Sequence, residues 1–147
     1  MRTISRFCAT IALLTAAGTA AAQPAPIPQP VAPPVTAPQA RATWTYLGVH
    51  LGDFYAGPVT RSKTGTRLAW DASLFNPPVM AKGRPLVGQF YLREFDCKKA
   101  AVRMLYIAIV TETAVVRWDR TEPSEWLPRA QLRAEPGIKN FERVCGG

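Results

Sequence analysis

The residues able to do covalent or acid–base chemistry are few and widely spaced. There are three cysteines, Cys8, Cys97 and Cys145, and a single histidine, His50. Nucleophilic catalysis wants a serine or thiol beside a base, and the chain has no Gly-x-Ser-x-Gly elbow. Cys97 ends the run Arg93-Glu94-Phe95-Asp96-Cys97, and Cys145 ends Phe141-Glu142-Arg143-Val144-Cys145. In an oxidising compartment two such cysteines pair, and a bridge closing the stretch from Lys98 to Val144 stabilises a fold by about 4 kcal/mol on the chain-entropy model. A metal site would need about four ligands, which one histidine and two cysteines do not supply. His50 could give a haem one axial ligand, but as a general base it lacks a nucleophile and an orienting carboxylate, Asp53 being near only in sequence. A structural or solvent-exposed histidine is the expectation, with no cofactor, no metal and no catalytic residue.

Two further patterns have an ordinary reading. Glu94 and Asp96, two apart on a strand, share a face and could divide acid and base work, but they read as a solvated pair neutralised by Lys98, Lys99 or Arg103. The stretch from Gly57 to Lys63-Thr64 nearly spells a phosphate loop, except that Ser62 replaces the second glycine and no strand-to-helix context follows.

What remains is charge. The formal net charge is +8. Arg61, Lys63 and Arg67 cluster at a predicted hairpin and are the candidate binding residues, with Arg129 and Arg133 further on. Tyr46, Trp70, Tyr91 and Trp118 could complete an aromatic and cationic surface for a glycan or anionic polymer. Outside the cytosol, such a balance points to envelope or extracellular proteins and to anionic glycan or lipid surfaces rather than to nucleic acid.

The elements that would position these residues can be read in order. Arg2 and Arg6, the apolar run from Phe7 to Ala17 and the small residues Ala20-Ala21-Ala22 read as a signal peptide over residues 1–22. Cys8 sits at the start of that run rather than after it, so it leaves with the leader, and the mature protein is no lipoprotein. Losing Arg2 and Arg6 takes two from the formal +8 and leaves a basic chain of +6. Residues 23–41 hold seven prolines and read as a disordered, extended Pro-rich tether. From residue 42 the pattern turns to strands: one led by Trp44 and Tyr46, a second over 54–60, a turn at Ser62-Lys63-Thr64-Gly65, and a third over 67–75 paired to the second. Asn76-Pro77-Pro78 reads as a stop, with a loop before the next strand from Leu86 to Cys97. The most apolar run, Ala101 to Val110, belongs centrally in the sheet, and Ala114 to Trp118 returns beside it. Trp126 is expected to plug one end of the core. From Pro136, the spacing of Ile138, Phe141, Val144 and Cys145 makes one helical stripe that would aim Cys145 at Cys97.

With Trp44, Phe95-Asp96-Cys97, Arg103, Trp126, Pro136-Gly137 and Val144-Cys145 in this order, the chain resembles the surface-adhesin protein E family of exported bacterial domains. The likeness spans roughly residues 43 to 145. It implies a small antiparallel sheet, a C-terminal helix and a bridge from Cys97 to Cys145. The namesake of that family is a surface lipoprotein that binds host matrix proteins and dimerises. This chain departs from it in lacking a lipid-attachment cysteine and in carrying the Pro-rich spacer, so host binding is not carried onto particular residues.

The expectation is an α+β domain over 42–147: an antiparallel sheet of about five to six strands with a C-terminal helix packed on it and one disulfide. Its expected role is a non-catalytic, periplasmic or secreted binding module of the cell envelope, adhesin-like, with no transmembrane span after cleavage and homodimerisation among its partners. The alternative is a structural or assembly-support domain.

Overall fold

A computed structural model of the chain describes residues 30–146. The expected signal peptide and the expected tether as far as residue 29 lie outside the described residues. Six strands follow one another as an antiparallel meander: β1 (Thr45–Val49), β2 (Asp53–Arg61), β3 (Arg67–Ala81), β4 (Arg84–Asp96), β5 (Ala101–Val110) and β6 (Val115–Arg120), each paired to the next. A short β7 (Leu127–Pro128) pairs with Ala101 and Val102 of β5, and a 3-10 turn (Arg129–Gln131) leads from it. Helices α1 (Ala37–Thr43) and α2 (Glu135–Cys145) flank the meander in sequence. The architecture is thus an antiparallel sheet of six to seven strands with a C-terminal helix and one disulfide, as expected.

The sheet is covered on both faces, and the alternation in β3 shows how. Trp70, Ala72 and Leu74 pack with Phe90 and Leu92 of β4 against Ala37 and Ala40 of α1. Ala69 and Phe95 turn the other way and pack with Val102 against Phe141 and Val144 of α2. A strand buried on both sides has no polar face to show, which is why β4 reads as mixed on both faces.

Four expectations about this frame are corrected. The tether does not run to residue 41, because 37–41 lie in α1 and Ala37 and Ala40 are buried. Pro38 sits in the first turn, where its missing N–H is not needed, and the Thr36 N–H donates to Gln39 Oε1 at 2.9 Å. Asn76-Pro77-Pro78 does not stop β3. The pairing of β2 with β3 ends at Leu74, and β4 skips from Gly88 to Leu86 opposite Leu74 and Val79, so both prolines fall in a bulge where no ladder donor is needed. The hairpin then closes at Lys82-Gly83, both with positive φ as a tight two-residue turn requires. The apolar run of β5 is not central, since β3 and β4 hold the middle of the sheet. Trp126 does not plug the core. It is 38% exposed and lies under the Arg103 guanidinium, 4.6 Å from ring to cation.

Two glycines are required by close approach. The Trp44 indole lies so near Gly57 that a Cβ there would come within 2.7 Å of the ring. At Gly88, with φ of 154°, a Cβ would come within 2.3 Å of the Ser73 carbonyl oxygen.

Candidate functional site

The site depends on where α2 is held, and three ties fix it. The first is the Cys97–Cys145 disulfide, with Cα atoms 5.3 Å apart. In the second, the Arg67 guanidinium donates to the Val144 carbonyl in the last turn, where helix carbonyls lack intrahelical partners. The third is a buried polar chain. Asn140 Nδ2 donates to Asp71 Oδ1 at 2.6 Å, while Arg143 Nε and Nη2 donate to Asn140 Oδ1 at 3.1 and 3.0 Å. Arg143 Nη2 also donates to the Gly57 carbonyl at 3.0 Å.

Asp71 is fully buried, and Arg93 reaches it from β4 with Nε 3.3 Å from Oδ2. That approach is an ion pair without an aligned hydrogen bond, and both atoms are otherwise unpartnered. Burial pushes the Asp71 carboxyl up to about 6, with Arg93, Arg143 and the Asn140 amide pulling the other way without winning. Burial likewise lowers Arg143.

The segment from Ser124 to Ala134, which pairs with β5 through β7 and leads into α2, borders a cleft of about 370 Å³. Its apolar walls are Phe54, Val102, Met104, Leu127 and Leu132, and its basic lining is His50, Arg93, Arg103 and Arg133. No aspartate or glutamate lines it. Ala134 and Gly137 bring the start of α2 to the wall, and the N-cap residue Ala134 supplies no side-chain acceptor to the first turn.

The four basic side chains are held differently. Arg93 lies over the Phe54 and Tyr91 rings, 5.5 and 5.2 Å from their centroids, and its side chain is 15% exposed. Arg103 is paired to Glu94 at 2.7 Å. Arg133 and His50 are exposed at the rim, His50 on the bend after β1 rather than within a strand. Ser124 also lines the cleft, but its hydroxyl accepts from the Met104 N–H at 2.9 Å and faces the Glu125 carbonyl at 3.0 Å. The arrangement can hold and orient a ligand of opposite charge. Two of the lining arginines are paired with carboxylates, Arg93 with Asp71 and Arg103 with Glu94.

The hairpin residues singled out in the sequence lie elsewhere. Arg61 and Arg67 line a separate basin of about 350 Å³ with Thr66, Lys98, Asp96 and Cys97, and Lys63 is exposed on the turn. Arg67 is engaged with α2 as described. The aromatic surface expected beside these cations does not form, because Trp70 and Tyr91 are buried and Trp118 packs edge-on against Tyr106. Only Tyr46 of that set is well exposed, at 52%. Glu94 and Asp96 are neutralised as expected, by Arg103 and by Lys99, although Glu94 is buried rather than solvated. The near-phosphate-loop stretch is a β2 strand and hairpin turn, without the helix a phosphate cradle needs.

Sequence reasoning placed Arg133 and Arg103 among the basic residues but did not bring them together with Arg93 and His50. The signal available was the acid-free run from Trp126 to Ala134, which carries Leu127, Leu132 and Arg133.

Fold and site together define a small disulfide-stapled α+β domain carrying one apolar, cation-lined cleft. Comparison with protein-family models, with curated proteins and with solved structures gives no match. Among the described residues no helix is long and apolar enough to cross a membrane, and no cluster of three or more His, Cys, Asp or Glu could hold a metal ion.

Proposed function

We propose that this protein is a non-catalytic binding module of the bacterial cell envelope, exported by its leader and seating its ligand in the cleft bordered by the Ser124–Ala134 segment. The observation that carries the reading is a concave, mostly apolar site of about 370 Å³ with several basic side chains and no lining carboxylate. Such a lining suits recognition, whereas acid–base catalysis would want a carboxylate or a free nucleophile within reach of His50. The disulfide is compatible with an oxidising compartment. The adhesin-E-like resemblance, the periplasmic or secreted location and self-association through an exposed edge belong to the same proposal. Their physical support is the stapled sheet and the open edge strand β1 with Tyr46, Val49 and Leu51 exposed.

The test is to purify the protein without denaturation from cells that export it and weigh it by native mass spectrometry. A second preparation carries Gly137→Phe, since a Cβ at Gly137 meets nothing within 4 Å and the added ring has room in the cleft. The proposal expects a bound mass on the wild type that the variant lacks. Identical spectra from the two would instead favour a structural or assembly-support domain.

A further inference from the structure

We infer that the ligand of this cleft is a small amphiphilic anion, a medium-chain carboxylate being its simplest member; this rests on the cleft being the binding seat. Size comes first. Taking ~30 Å³ as the share of one water-sized group, the 370 Å³ cleft takes about a dozen heavy atoms. That volume fits one short chain or a ring with a head group.

Charge decides the head. Arg93, Arg103 and Arg133 line the cleft with no acidic residue among the lining, so a cationic ligand is repelled and an anion is drawn in. Arg103 is satisfied by Glu94. Arg93 is ion-paired to Asp71 through its buried Nε without an aligned hydrogen bond, and its side chain, 15% exposed, lines the cleft. Arginine presents a planar fork of five donors suited to a carboxylate. Arg133 stands at the rim, immediately before the α2 N-cap, where the helix end also favours a negative charge.

The walls decide the rest of the ligand. Phe54, Val102, Met104, Leu127 and Leu132 offer no hydrogen bond, so a bare inorganic anion would leave most of the cleft unsatisfied while an apolar body would displace its water. Head and body are therefore both needed, and neither alone accounts for the lining.

Decanoate, decanol and acetate are the probes, titrated calorimetrically into the oxidised protein. Decanoate is expected to bind at least tenfold more tightly than either control, to lose about tenfold with Arg133→Glu, and to lose all measurable binding with Gly137→Phe. Since Arg93 balances a buried carboxylate, the double variant Asp71→Asn/Arg93→Met probes it without stranding a charge, and it should lower the preference for decanoate over decanol about tenfold. Decanol binding as well as decanoate, or acetate binding as well as either, overturns the ligand class. A bound mass on the exported protein that Gly137→Phe removes, together with no decanoate binding, refutes the amphiphilic carboxylate but keeps the cleft as the seat. No bound mass and no decanoate binding refute both.

Discussion

Asp71 gives the sharpest test of how this fold is held, because its contribution to stability should run against the usual trend in acid. In the folded protein its carboxyl is raised from 3.8 to about 6 by full burial. At pH 5 the folded state therefore keeps a proton that the unfolded chain has released. Stability from this group is fully present below pH 4 and is lost as pH rises through about 6. The shift of roughly two units corresponds to about 3 kcal/mol. The groups facing it are Arg93, Arg143, Asn140 and Tyr91, and none of these side-chain types changes charge between pH 4 and 7, so the window belongs to Asp71. The assay is urea unfolding of the wild type and of Asp71→Asn at several pH values from 4 to 7. The amide keeps the shape and can still accept from Asn140 Nδ2, but it cannot titrate. Whatever the offset at pH 4, the wild type should lose about 3 kcal/mol relative to the variant by pH 7. Parallel curves, or a wild type that gains on the variant as pH rises, would refute the reasoning and mean that the two guanidiniums outweigh desolvation.

Other consequences are simpler to test. Replacing both Cys97 and Cys145 with serine should lower unfolding free energy by about 4 kcal/mol in urea titrations, since the bridge spans 48 residues of sequence. Gly57→Ala pushes a methyl group into the Trp44 ring and should cost about 1–3 kcal/mol with a changed near-ultraviolet tryptophan signal. Phe141→Ala opens a cavity between α2 and Phe95 and should cost about 3–5 kcal/mol by the same titration. Arg61→Glu with Lys63→Glu should change stability by less than about 0.5 kcal/mol, since both side chains are exposed at the hairpin, and should leave decanoate binding unaltered.

What the sequence by itself determined was whatever depends on local period and chain punctuation. Alternation and apolar, β-branched runs placed β4 and β5, Ser62-Lys63-Thr64-Gly65 placed the hairpin that joins β2 to β3, and the stripe through Phe141 and Val144 placed α2 with Cys145 facing Cys97. Proline misled it twice for one reason: whether a missing N–H matters depends on what lies opposite. Pro38 falls in a first helical turn, and Pro77 and Pro78 fall in a bulge, and both environments are made by partners distant in sequence. Charge was read as locally. Arg61, Lys63 and Arg67 are neighbours in sequence and were easy to single out, yet Arg67 serves to fasten α2. Only the tertiary structure decided that Asp71 and Asn140, 69 positions apart, share a buried hydrogen bond, and that Arg93, Arg103 and Arg133 line one cleft with His50. The physical reason is that a pocket is the space left between elements whose separation is set by the core they share, and no local pattern in the chain records that distance.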